Sequence, residues 1–157
     1  MIKYNYVILL YSQLNYCDIV YSNMDIFLEK KIQKIQNICL RFIFNYRLKD
    51  PIDQHALLQK LGWLNMKQRR VQHGLTMIYK ILNGHAPHYL SDTFTLTNEI
   101  HNVNTRRAHS TIWINKQAKS KLHRKSYSFY MAKIYNTLPE NLQKAVSTDS
   151  FKKIFKK

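Results

Sequence analysis

The stretch 57–84, reading LLQKLGWLNMKQRRVQHGLTMIYKILNG, constrains the fold more than any other part of the chain, because its punctuation spells a short helix, a corner and a long helix. Gly62 follows the apolar run Leu57, Leu58 and Leu61, at the place where a helix ends on a residue in the left-handed conformation. Asn65 is placed to cap the next helix, and Gln68, three residues on, completes a capping box. Val71, Gly74, Leu75, Ile78, Ile81 and Leu82 then recur at helical spacing and predict one apolar stripe. Arg69, Gln72, His73, Thr76 and Lys80 are expected on the opposite, polar face. Asn83-Gly84 closes the helix and Pro87 prevents its restart. Trp63 falls in the corner, where an indole plugs the angle between two helices as core.

The rest of the chain agrees with a helical reading. Only three Gly and three Pro occur in 157 residues, too few for the tight turns of a β-sandwich or barrel. A 45% apolar content on this length suits one compact unit, which buries roughly 68–70% of its unfolded surface. The expected class is mainly α: an irregular domain of about five or six helices, with a short β-hairpin or extended basic loop around 93–122. Residues 3–21 read as a first helix with Val7, Leu10, Leu14, Cys17 and Tyr21 on one face. Asn23 or Asp25 caps a second helix running to about residue 44, whose stripe is Leu28, Ile32, Ile35, Cys39 and Phe42. Residues 46–50 form a polar corner, and Pro51 suits the first turn of the third helix. Residues 86–90 add one more turn. The runs 93–97 and 111–114 alternate as strands do, and 116–125 reads as a mobile basic loop. A further helix covers 127–137 and stops before Pro139, and Ser147 or Thr148 caps a last one over 151–157.

Charge gives the main functional clue. The net charge is +16, and residues 101–157 carry thirteen Lys/Arg against two acids, so +11 of it lies in the last third. No acid occurs from residue 100 to 139. Charge for solubility mixes signs, whereas a one-signed block on an aromatic-rich chain is the footprint of a polyphosphate partner. Two cysteines, Cys17 and Cys39, make no disulfide scaffold, and their apolar helical context predicts buried free thiols in a reducing compartment. The apolar run 6–10 is too short for a signal peptide, and Gln13, Asn15 and Asp18 interrupt it before membrane-spanning length. These features predict an intracellular chain, nuclear or cytoplasmic, with no membrane partner.

In its motifs the chain resembles the region downstream of the polymerase core in reverse transcriptases of non-LTR (LINE-type) retrotransposons, of the jockey type and its relatives. The run of the form LLxxLGWLxxxxRRxxHxLxxxYKILNGxAPxYLSDxF over 57–94 carries most of the likeness. Upstream, Tyr11-Ser12-Gln13-Leu14-Asn15-Tyr16-Cys17-Asp18 resembles that family's YSHLNYC segment, and Lys34, Ile35, Gln36, Asn37, Leu40, Arg41, Phe42 and Ile43 resemble its LQKIQNRxLRFI helix. Downstream, Asn104-Thr105-Arg106 is similar to an NTR element, and Ser126, Phe129, Ala132, Asn136, Leu138 and Pro139 follow a pattern like SFxxxxAxxWNSLP. Phe151-Lys152-Lys153 resembles a closing FKK. Tyr135 stands where the pattern has Trp, Tyr21 stands near another such position, and Asn102-Val103 replaces the usual pair before NTR. The likeness runs through nearly the whole chain in one order. It implies residues 1–22 as the edge of the thumb and the rest as the region beyond it, which the pattern of the residues divides into a helical core at 23–91, an extended basic segment at 92–125 and C-terminal helices at 126–157.

The same likeness implies a parent RNA-directed DNA polymerase whose palm carries adjacent aspartates and the Mg²⁺ ions they hold. No adjacent acidic pair occurs here, nor a Gly-rich phosphate loop or a G-x-S-x-G elbow. No catalytic residue and no cofactor is therefore expected in this chain. The seven histidines lack metal spacing, His85 and His88 being the nearest approach. The remaining chemistry is basic and aromatic. Arg106, Arg107, Lys116, Lys119, Lys121, Arg124 and Lys125 are expected to neutralise phosphates, with Arg69 and Arg70 extending that surface. Trp113 and Tyr127, with His109 and His123, are flat rings that either stack on unpaired bases or pack in the core. The expected partner is RNA or DNA bound without sequence preference, together with the upstream polymerase domains. Two rival readings stand beside this one: a helical docking module built on the second and fourth helices, and a transposon relic without function.

Overall fold

In a computed structural model, which describes residues 2–100, 111–114 and 120–154, the chain is mainly α-helical. Its helices are α1 (Ile2–Asn15), α2 (Ile26–Phe44), α3 (Gln54–Leu61), α4 (Met66–Leu82), α5 (Thr97–Ile100), α6 (Lys121–Lys125), α7 (Tyr127–Tyr135), α8 (Glu140–Gln143) and α9 (Thr148–Ile154), with a 3-10 turn at His88–Thr93. Six of them exceed five residues and are the helices the periodicity predicts; α5, α6 and α8 are single turns. Contacts divide the chain into two compact units, Met1–Arg70 and Val71–Lys157, with the division inside α4.

In the first unit α1 ends at Asn15 rather than near residue 21. Cys17 takes φ 53°, and the Tyr21 hydroxyl donates to the carbonyls of Leu14 (2.9 Å) and Tyr16 (3.1 Å), closing the end of the helix. Cys17 is therefore exposed, not buried as expected, while Cys39 lies in the core. Val7 and Tyr11, not Leu10, turn inward. Asp25 caps α2 as predicted, accepting from Ile26 N (2.7 Å), and Asn45 ends it at φ 59°. The face of α2 differs from the expected stripe. Gln36, Cys39 and Leu40 are buried while Leu28, Ile35, Ile38 and Phe42 are exposed.

The reason is a polar network. Gln36 Nε2 donates to the Tyr11 hydroxyl (2.6 Å) and to Leu64 O (2.9 Å), and Gln33 Oε1 accepts from Met66 N (3.2 Å) at the start of α4. Buried amides that satisfy these groups take the inward positions, so apolar side chains turn out. Asp53, not Pro51, begins α3, its carboxylate accepting from His55 N and Ala56 N. Gly62 then adopts φ 63°, as its C-cap role requires. The predicted capping box forms in both directions: Asn65 Oδ1 accepts from Gln68 N (2.8 Å) and Gln68 Oε1 from Asn65 N (3.2 Å). Trp63 plugs the corner, its ring 4.7 Å from that of Tyr11.

The second unit is organised around α4. Leu75 and Ile78 are fully buried with Tyr79, Met131 and Phe151, and Phe151 stacks on Tyr79 at 4.8 Å. The expected polar face is not solvent-facing throughout. Gln72 and Thr76 are buried, Gln72 Nε2 donating to Lys152 O of α9 (3.1 Å) and Thr76 Oγ1 to Gln72 O (2.7 Å). Gly74 has a contact role: a Cβ there would lie 2.7 Å from Met131 Sδ, so its absence sets how closely α7 approaches. Leu96 and Ile112 form an antiparallel bridge, flanked by Thr97 N to Thr111 O (2.9 Å) and Trp113 N to Thr95 O (2.8 Å), which is the pairing that the two alternating runs predict.

Candidate nucleic-acid interface

Of the residues expected at a nucleic-acid site, Arg106, Arg107, Lys116 and Lys119 lie outside the described residues, as does His109. The others are placed as follows. Residues 121–125, expected as part of a mobile loop, form the short helix α6, which follows Ser120 and ends at Ser126. The Ser126 hydroxyl donates to His123 O (2.6 Å) and accepts from Phe129 N, so one serine closes α6 and caps α7. Lys121, Arg124 and Lys125 are all exposed on this turn. His123 is exposed as well, its ring edge-on to Phe129 at 5.6 Å.

Trp113 reaches the same region from the chain segment that pairs with residues 95–97. Strand-like alternation turns Ile112 inward, 2% exposed, and Trp113 outward, 40% exposed. The segment is held in a way the sequence does not announce. The Asn136 side chain accepts from Ile112 N (2.9 Å) and donates to Ile112 O (2.7 Å), acting as a neighbouring strand would. An asparagine just after a helix reads as an ordinary C-cap, so only its place in the SFxxxxAxxWNSLP-like pattern marked it out.

Between these elements lies an open groove of about 290 Å³ whose lining includes Thr93, Thr95, Trp113, His123, Ser128 and Phe129. None of the described residues that line it is a carboxylate. Two further clefts hold acids: Asp92 and Glu99 in one, Glu29 in the other. The groove therefore combines aromatic walls and hydroxyls with His123 of α6, whose Lys121, Arg124 and Lys125 are exposed on the same turn without lining the groove.

Three expected site residues are used elsewhere. Arg70 does not extend a basic surface: it is 1% exposed, and its Nη2 pairs with Glu29 at 3.3 Å in the first unit. Its Nε and Nη1 are buried with no hydrogen-bond partner among the described residues. Arg69 lays its guanidinium over the Tyr11 ring at 5.1 Å, a cation–π contact. Tyr127 is committed to packing, with its ring edge-on to Phe94 at 6.1 Å and its hydroxyl donating to Gly74 O (3.0 Å). Burial pushes the Tyr127 phenol above its ordinary range. Of Trp113 and Tyr127, the structure keeps the first exposed and packs the second.

Among the described residues no cluster of His, Cys, Asp and Glu is suited to a metal ion, and no helix is long and apolar enough to cross a membrane. Comparison with protein-family models, curated proteins and solved structures finds no match to the chain.

Proposed function

We infer that the chain is a non-catalytic C-terminal region of a non-LTR retrotransposon reverse transcriptase, and that it holds template RNA or target DNA without reading sequence. The observation that carries this reading is the exposed basic helix α6 within a span, 100–139, that contains no acid. A one-signed cationic surface gains by releasing the counterions condensed on a nucleic acid, and that gain does not depend on sequence. The ordered run of motif likenesses from Tyr11 to Lys153 supports the family part of the reading. A genomic frame ahead of residue 1 encoding an aromatic-x-Asp-Asp turn tests that part directly.

The binding part has a quantitative signature. Neutralising about five phosphates of a single strand gives a slope of roughly −3.5 for log affinity against log salt. A filter-binding titration that returns a slope near zero removes the reading.

A second reading, protein docking, is favoured by one observation. Leu28, Ile35, Ile38 and Phe42 form an exposed apolar row on α2, with Lys31 and Lys34 beside them. The row on α4 is no candidate, because Leu75, Ile78 and Ile81 are spent in the chain's own core. Self-association of the purified chain, together with RNA binding that survives charge reversal at Arg106, Arg107, Arg124 and Lys125, would favour docking over nucleic-acid binding.

A further inference from the structure

We propose that the groove between Trp113 and α6 receives an unpaired nucleobase, so that the nucleic acid held by this chain is single-stranded where it meets Trp113. The inference rests on the nucleic-acid reading above and makes it more specific.

Three features of the groove lead there. Trp113 lines the groove and stays 40% exposed, although an indole of its size gains most by being buried. Its backbone N–H is already used by Thr95 O, and Ile112 next to it is clamped by Asn136, so the ring stands on a fixed support. A stacking platform held in place in advance loses little conformational freedom on binding.

The size and lining of the groove point to a base. At about 290 Å³ it lies at the lower edge of the range of about 300–1,000 Å³ usual for small-ligand sites, which suits one planar ring system and not a docked helix. The hydroxyls of Thr93, Thr95 and Ser128 provide donors and acceptors for the edge of a ring stacked on Trp113.

Charge selects the kind of ligand. α6 puts His123 into the groove wall and carries Lys121, Arg124 and Lys125 exposed on the same turn, while no acid is among the described residues that line the groove. Cations on the helix beside an aromatic slot match a base joined to its phosphates. An intact duplex keeps its bases stacked inside and cannot present a ring face to Trp113. Every base has such a face, so the slot requires no sequence.

The test uses the full chain with short oligouridine RNA, oligothymidine DNA and a mixed-sequence duplex, titrated by anisotropy at several salt concentrations. Trp113→Ala should weaken single-strand binding by about 5- to 150-fold, the range for loss of one base–aromatic stack. It should leave duplex binding within about twofold and the salt slope unchanged, since the indole neutralises no phosphate. Trp113→Phe should restore most of the affinity, and single strands should quench the fluorescence of Trp113 in the Trp63→Phe background. If Trp113→Ala binds oligouridine and oligothymidine as tightly as the parent while both keep a steep salt dependence, the base slot is refuted and the polyanion reading stands. If the unmutated chain binds none of the three ligands, both fall. Loss of duplex and single-strand binding in equal measure, with the parent's circular dichroism retained, also refutes the slot.

Discussion

Among the described residues, 71–157 bury ten in one cluster around Leu75, Ile78 and Tyr79, whereas 1–70 divide seven between two clusters, one at Cys39 and one at Leu40. The exposed side follows the same division. Among the described residues, thirteen large apolar side chains stand exposed in 1–70 and five in 71–157. The two units also differ in what completes the interior. The second sets Gln72 and Thr76 among apolar contacts such as Tyr79 on Phe151, and the first joins its helices through Gln33, Gln36 and an ion pair of Arg70 with Glu29. A polar interior is directional, so it fixes which helix face turns in even when that face is not the most apolar one. The contrast shows that a helix can be amphipathic in sequence and still present part of its apolar row to solvent.

The sharpest way to probe the contrast is to remove an apolar keystone of the second unit. Phe151 is fully buried, and Phe151→Ala should cost about 3–5 kcal/mol, the usual loss for a large aromatic in a packed core. Chemical denaturation should record the loss, and amide exchange should show it in α7 and α9. A loss under about 1 kcal/mol would mean that α9 is a detachable appendage and that the second unit has no single core.

Alkaline pH should act on both units at once. Burial pushes Tyr11 in the first unit and Tyr135 in the second up to about 12, against an ordinary phenol near 10. A raised folded-state value keeps the proton on the folded chain while the unfolded chain ionises. The stabilisation is therefore complete below pH 10 and is lost as pH rises from 10 to about 12. At about 1.4 kcal/mol per pH unit, each tyrosine contributes up to about 2–3 kcal/mol. Tyrosinate absorbance measured against helix content through that window checks it. Ionisation of Tyr11 and Tyr135 at pH 10 with the helices intact would show that neither ring is as enclosed as its packing indicates.

The polar interior of the first unit is tested at Gln36. Gln36→Ala leaves the Tyr11 hydroxyl and Leu64 O without their partner, and should cost about 1–3 kcal/mol, most of it desolvation left uncompensated. Gln36→Leu, which keeps volume but not the amide, should recover little of the loss. Full recovery by Leu would mean that shape and not hydrogen bonding sets the face of α2, and the contrast between the units would narrow.

The sequence made some of this legible and not the rest, for identifiable reasons. Local chemistry was readable: the Gly62 stop, the Asn65–Gln68 box and the Asp25 cap each involve residues within four positions of one another. The Leu75–Ile78–Ile81 stripe was readable because a buried helix face repeats at 3.6 residues. Long-range satisfaction was not. The bonds from Gln36 to Tyr11 and from Gln72 to Lys152 span 25 and 80 residues, and a periodicity scan counts both glutamines as solvent-facing. The same applies to the site. Trp113 and α6 are adjacent in a basic aromatic stretch, but the choice between an exposed Trp113 and a packed Tyr127 depends on Asn136 and Gly74, neither of which looks functional in sequence. Arg70 shows the opposite error, since a residue in an Arg-Arg pair at a helix start reads as surface charge and is in fact ion-paired in the interior.

The smallest expected effect concerns the row that the first unit leaves outside. Ile38→Ser and Phe42→Ser remove apolar surface that is 54% and 46% exposed, so each should change stability by no more than about 0.5 kcal/mol. The informative readout is association, not stability. An exposed apolar row flanked by Lys30, Lys31 and Lys34 attracts apolar partners but repels a second copy of itself, because like charges would face each other across the seam. The parent chain should therefore remain monomeric by sedimentation at low salt and begin to self-associate as salt screens the lysines, and the double serine variant should stay monomeric throughout. Self-association already strong at low salt and unaffected by Phe42→Ser would locate the sticky surface elsewhere. The excess of apolar surface in the first unit would then carry no meaning for interaction.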